Sequence, residues 1–96
     1  MRLNGRTALV TGATGGIGEA FARAFAAEGC NVVLNGLDNP DEVEKLRADI
    51  GRQRAAEVVY HQADVGNPDQ VEVMVAAAMQ RLGAIDILVN NAVTRH

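Results

Sequence analysis

The sequence predicts an α/β fold, a parallel sheet of four strands in the order 3-2-1-4 with flanking helices, and three observations carry the prediction. Four short apolar runs alternate with three stretches of helical periodicity, the pattern of β-α-β crossovers. Apolar residues make up 48% of the chain but aromatic residues only 3%, so the core must be built from small aliphatic side chains, as in a sheet buried on both faces. A glycine cluster follows the first apolar run, where a strand must turn tightly into a helix.

Thr7-Ala8-Leu9-Val10-Thr11 is the first strand. Beyond the glycines, Ile17, Ala20, Phe21, Ala24 and Phe25 recur at i, i+3, i+4 spacing and predict an amphipathic helix with those residues facing inward. Glu28-Gly29 ends it, and Asn31-Val32-Val33-Leu34-Asn35 is the second strand. Asn39-Pro40-Asp41-Glu42 starts the second helix: Asn39 caps, Pro40 fits the first turn and Glu42 completes a capping box, with Val43, Leu46 and Ile50 inward. Ala56-Glu57-Val58-Val59-Tyr60 is the third strand. Asn67-Pro68-Asp69-Gln70 repeats the start signal before the third helix, whose stripe is Val71, Met74, Val75, Ala78, Met79 and Leu82, so both methionines are read as core. Gly83 stops that helix, and Ile85-Asp86-Ile87-Leu88-Val89-Asn90 is the fourth strand. Each helix returns the chain to begin the next strand in the same direction, which makes the sheet parallel. Right-handed crossovers leave few arrangements, and the order 3-2-1-4 has its topological switch point between strands one and four.

The 96 residues are read as one domain, 1–96. A net charge of −3, with nine Lys and Arg residues scattered along the chain, provides no basic stripe for nucleic acid. No apolar run approaches the roughly 18 residues of a membrane span and no signal-peptide pattern leads the chain, so a cytoplasmic protein with no membrane partner is expected. The lone Cys30 lies between Gly29 and an apolar run and is read as a small buried side chain. His61 and His96 have no partners at metal-ligand spacing, and no metal site is assigned.

The informative segment is Thr11-Gly12-Ala13-Thr14-Gly15-Gly16-Ile17-Gly18, set between a strand and a helix. Glycines let main-chain N–H groups approach a pyrophosphate at the positive end of a helix dipole, and Gly18 lets the helix pack closely on the sheet. The Gly-Lys-Ser/Thr ending of kinase-type and GTPase-type phosphate loops is absent. The competing reading is a plain glycine-rich turn with no ligand.

This run resembles the short-chain dehydrogenase/reductase family, whose glycine motif Thr-Gly-x-x-x-Gly-x-Gly is filled by Thr11, Gly12, Gly16 and Gly18. Gly15 also satisfies the Gly-x-x-Gly-x-x-Gly spacing of the family's extended branch of epimerases and dehydratases. Asp64-Val65 after the third strand and Asn90-Asn91-Ala92 after the fourth favour the classical branch and extend the resemblance to nearly the whole chain. The resemblance implies a Rossmann-type sheet, truncated here after the fourth strand. It also implies a nicotinamide cofactor cradled by Gly12, Thr14, Gly15, Gly16, Ile17 and Gly18, with Leu37 in the loop after the second strand. By the same resemblance Asp64 accepts from the adenine amino group and the Val65 N–H donates to the ring. Asn90 and Ala92 border the adenine ribose and the cofactor's middle, and Asn91 braces the sheet. Val93 stands where the family carries glycine, which leaves less room for close backbone approach.

Cofactor choice turns on the second-strand loop, where an acid usually accepts from ribose hydroxyls and a base accommodates a 2′-phosphate. Gly36 stands where the NAD-preferring acid commonly sits and Leu37 where many NADP-preferring members place arginine, while Asp38 follows. A 2′-phosphate meets no counter-charge and some repulsion, so NAD is expected. The runs Val32-Val33-Leu34-Asn35-Gly36 and Tyr60-His61-Gln62-Ala63-Asp64-Val65 resemble the members that oxidise 3-hydroxybutyrate, implying a small-molecule alcohol or ketone substrate and a homo-oligomer when complete.

The family's acid/base tyrosine, the lysine four residues on and the substrate-binding serine have no counterparts, so no catalytic residue is assigned. The chain has no serine, Tyr60 is followed four residues later by Asp64, and Lys45 falls in a solvent-facing helix. Two helices cover one sheet face and one the other, the fourth strand has a free edge, and apolar surface is expected to stay exposed, driving self-association or pairing with further chain. The leading expectation is the NAD-binding portion of an oxidoreductase. Its rivals are a catalytically incomplete nucleotide-binding or interaction module and an extended-branch epimerase or dehydratase.

Overall fold

The computed structural model describes residues 3–52 and 57–92. Within them β1 (Thr7–Val10), α1 (Gly16–Ala27), β2 (Asn31–Gly36), α2 (Pro40–Gly51), β3 (Val58–Gln62), α3 (Pro68–Leu82) and β4 (Ile87–Val89) follow one another in the predicted alternation. The strands form one parallel sheet in the order β3-β2-β1-β4. The register sets Ala8 between Val32 and Ile87, Val33 beside Val59, and Gly36 beside Gln62. The start of the third strand at Ala56 lies outside the described residues, and the strand continues past Tyr60 to Gln62. β4 is shorter than predicted, Ile87–Val89; just before it Asp86 still pairs with β1, its N–H donating to Thr7 O at 2.9 Å and its carboxylate accepting from Thr7 N at 2.8 Å.

Alternation along the strands separates two apolar layers. Val10, Val32 and Leu34 pack with Ala22 and Ala26 of α1 and Ile50 of α2, whereas Leu9 and Val33 pack with Met74 and Ala78 of α3. Both faces of the central strands are therefore covered, which is why β1 and most of β2 read as unbroken apolar runs.

The inward face of α1 differs from the sequence expectation. Gly18, Ala22 and Ala26 face the sheet, while Ile17 and Phe21 are 69% and 43% exposed. Hydrophobic periodicity weights the largest side chains, but a helix that must seat its first turn against the glycine turn can present only small ones. A Cβ at Gly18 would lie 2.0 Å from Gly12 O, so contact at this position fixes the helix rotation. Phe25 alone of the predicted stripe reaches the edge of the core.

The other helices follow their signals more closely. Val43 and Ile50 of α2 are buried and Leu46 is half-buried. The capping box at its start does not form, because the Asn39 side chain reaches only two residues on, accepting from Asp41 N at 2.9 Å, and Glu42 N turns to the Asn39 carbonyl. Asn67 caps α3 on both Asp69 N and Gln70 N, and Gly83 closes it in a left-handed conformation. Met74 is buried but Met79 is 44% exposed, a correction to its reading as core, since the predicted stripe is wider than the strip of sheet that α3 covers. Cys30 is fully buried with its thiol donating to Leu3 O, and burial pushes the thiol pKa up, as befits a structural side chain. Leu88, on the edge strand β4, is 63% exposed, and with Ile17 and Phe21 leaves apolar surface in contact with solvent.

Candidate cofactor-binding site

The carboxyl ends of β1, β2 and β4 meet at the topological switch point, and a network of polar side chains holds the glycine turn there. Thr11, at the end of β1, is buried and works on both sides. Its Oγ1 accepts from Asn91 N at 2.8 Å and Ala92 N at 3.0 Å, and donates to Val89 O at 3.3 Å. Asn91 Nδ2 then donates to Gly12 O at 3.2 Å, so Asn91 braces the end of the fourth strand against the turn.

On the other side Asn35 does equivalent work from β2. It is buried; Oδ1 accepts from Gly12 N at 3.4 Å, and Nδ2 donates to Ala63 O at 3.0 Å and His61 O at 3.3 Å. Its carbonyl also accepts from Ala13 N at 2.7 Å. One amide thus links the glycine turn to the end of β3. This role escaped the sequence reading, although an asparagine closing the apolar run Val32-Val33-Leu34 was its signal, because a buried amide must find partners.

The turn itself has the shape of an anion cradle. Gly12 has φ +60, and a Cβ there would sit 3.1 Å from Ala92 Cα. Gly15 is the N-cap of α1 with no side-chain cap, so the first N–H groups of the helix keep no side-chain partner. A Cβ at Gly15 or Gly16 would meet nothing within 4 Å, which leaves open space over the positive end of the helix dipole. The residues present therefore fit a dinucleotide pyrophosphate. Thr14 is half-buried and its side chain lies against Gly36, while Ile17 and Leu37, each 69% exposed, add apolar surface on either side.

Asp64 and Val65 sit in the loop after β3. Asp64 is exposed; its Oδ1 accepts from Gly66 N at 2.9 Å, and its N–H is taken by the Gln70 side chain. Val65 is half-buried, and Asn90 and Ala92 follow β4 at the other edge of the site. Val93 and His96 lie outside the described residues. Tyr60, unassigned by sequence, donates its hydroxyl to Asp38 O at 2.6 Å. Burial, reinforced by the Asp38 and Glu42 charges, raises its pKa above the ordinary tyrosine value.

A short chain dehydrogenase family model matches residues 6–96. The chain belongs to the short-chain dehydrogenase family. It is 44% identical over 94 residues to the D-beta-hydroxybutyrate dehydrogenase of Cupriavidus necator, covering 98% of this chain and 36% of that protein. Against the D-beta-hydroxybutyrate dehydrogenase of Rhizobium meliloti the identity is 42% over 87 residues, covering 91% of this chain and 34% of that one. The structure of L-sorbose reductase from Gluconobacter frateurii, complexed with NADPH and L-sorbose, superposes with a TM-score of 0.88 at 34% identity, over 96% of this chain and 35% of that chain. The chain thus spans about a third of the length of the short-chain dehydrogenases it matches.

Proposed function

We propose that the chain forms the NAD-binding portion of a short-chain oxidoreductase that transfers hydride between a secondary alcohol and a nicotinamide cofactor, with 3-hydroxybutyrate as the substrate. The observation that carries this is the glycine turn: Thr11, Asn35 and Asn91 hold its backbone from three strands, with open space over the start of α1. In this reading Gly12, Thr14, Gly15, Gly16, Ile17 and Gly18 cradle the pyrophosphate. Leu37, Asp64 and Val65 hold the adenosine end, and Asn90 and Ala92 border the ribose and the middle of the cofactor. Bound nicotinamide supplies the hydride-accepting carbon. This chain's share is binding, orientation and exclusion of water, since its 96 residues contain neither serine nor a Tyr-x-x-x-Lys pair for proton transfer.

Preference for NAD rests on the loop after β2. Between Gly36 and Asp38 there is no cation to neutralise a 2′-phosphate, and Asp38 repels one. L-sorbose reductase holds NADPH, so family membership alone does not choose. The two D-beta-hydroxybutyrate dehydrogenases motivate the substrate. We further place the protein in the cytoplasm as a homo-oligomer.

Calorimetry with NAD and NADP tests the binding reading: NAD is expected to bind at least tenfold more tightly, and comparable binding of both overturns the preference. NADH formation from 3-hydroxybutyrate by the enzyme carrying this chain tests the activity. The second reading, a nucleotide-binding module without chemistry, expects binding with no NADH. Net NADH formation also excludes an epimerase or dehydratase, which retains its cofactor unchanged.

A further inference from the structure

We infer that Tyr60 and Gln62, reaching across from β3, set the selectivity between NAD and its 2′-phosphorylated form by pinning the loop after β2; the inference rests on the dinucleotide reading above. The two side chains stand two residues apart, beside Leu34 and Gly36 in the register, and so project on the same face of the sheet. The Tyr60 hydroxyl donates to Asp38 O at 2.6 Å and Gln62 Nε2 donates to Leu37 O at 3.0 Å. Two consecutive loop carbonyls are thereby tied to the neighbouring strand by side chains.

Gly36 explains why this matters. It is buried, and a Cβ there would lie 2.8 Å from Thr14 Cγ2, 3.1 Å from Thr14 Oγ1 and 3.3 Å from the Tyr60 hydroxyl. Thr14 and Tyr60 fill the space that an acidic side chain at position 36 would need. The first carboxylate after β2 is therefore Asp38, and its backbone is the one Tyr60 holds. Repulsion between a carboxylate and a 2′-phosphate depends on their separation, so a loop fixed at both Leu37 and Asp38 discriminates more sharply than one free to swing away. The raised pKa of Tyr60 keeps its hydroxyl a donor throughout the neutral range. Tyr60 and Gln62 act here as positioning residues.

Tyr60→Phe removes the hydroxyl and keeps the ring; Gln62→Leu removes the amide. Dissociation constants for NAD and NADP are measured by calorimetry on the chain and both variants, with amide exchange followed at Asp38 and Asn39. Each variant is expected to lower the NADP-to-NAD ratio of Kd by about three- to tenfold, the effect of one net hydrogen bond, and to speed loop exchange by a similar factor. The thermal midpoint is expected to stay within a few degrees. An unchanged ratio in both variants overturns the inference and leaves the dinucleotide reading standing. A ratio that falls only together with global stability marks a structural role and also overturns it. If the unsubstituted chain binds neither dinucleotide, the dinucleotide reading fails and the inference fails with it.

Discussion

Replacing Thr11 by valine keeps the side chain's shape and removes one atom's worth of hydrogen bonding. The hydroxyl is buried and serves two backbone donors, Asn91 N at 2.8 Å and Ala92 N at 3.0 Å, besides its own bond to Val89 O. An N–H left unpaired away from water costs about 1–3 kcal/mol. Asn91 and Ala92 are half-buried, so water recovers part of that cost, and a total near 2 kcal/mol is expected. For a domain of this size each kcal/mol lowers the melting temperature by roughly 4–8 °C, which makes the expected drop about 8–16 °C. Circular dichroism melts of the chain, Thr11→Val and Thr11→Ser provide the assay, serine being the control that keeps the hydroxyl and should lie close to the parent. A Thr11→Val melt within about 2 °C of the parent would refute the claim that this hydroxyl staples β1 to the end of β4, since that corresponds to less than about 0.5 kcal/mol.

Asn35→Leu should cost about 3 kcal/mol in chemical denaturation, because it strands Gly12 N, His61 O and Ala63 O, and should weaken NAD binding with it; a loss under about 1 kcal/mol would count against the linking role. Gly18→Ala should destabilise by about 1–3 kcal/mol despite the better helix propensity of alanine, because the new Cβ would meet Gly12 O at 2.0 Å; equal or higher stability would show that α1 can slide away. The pKa values of Cys30 and Tyr60 are both raised in the fold, chiefly by burial, so above pH values of about 9 and 10 the unfolded chain releases protons that the folded chain retains. Stability should therefore be level at neutral pH and fall as pH rises through that range, with Cys30→Ala flattening the lower part; denaturation at pH 7, 9 and 10 measures it. For the same reason Cys30 alkylation by iodoacetamide at neutral pH should proceed only at the rate of unfolding, and rapid labelling of the native chain would contradict its burial.

The strand order was legible because each β-α-β unit carries its own punctuation: Asn39-Pro40, Asn67-Pro68 and Gly83 mark helix ends by local chemistry that tertiary packing does not override. The glycine turn was legible for a related reason, since the positive φ of Gly12 favours glycine and the contact at Gly18 leaves no room for a Cβ. What holds the turn and the loop after β2 was mostly not legible. The Thr11, Asn35 and Tyr60 bonds join residues that are 20 or more positions apart, and only assembly of the sheet brings them together. Asn91 is the exception, legible through its place in a three-residue motif.

The error on α1 follows from the same physics as the site. Choosing Ile17, Ala20, Phe21, Ala24 and Phe25 as the inward face assumes that burial of the largest apolar side chains decides a helix's rotation, at about 25 cal/mol per Å². Here a backbone contact decides it. Gly18 must meet Gly12, Ala22 and Ala26 follow on the same stripe four residues apart, and the larger side chains turn outward. The close approach that exposes Ile17 also brings the start of α1 to the end of β1, where its first turn has no side-chain cap and a Cβ at Gly15 or Gly16 would meet nothing within 4 Å. In this chain the exposed isoleucine and the open space over the start of α1 are two results of one close helix-to-sheet contact. Enlarging Gly18 should accordingly disturb both together.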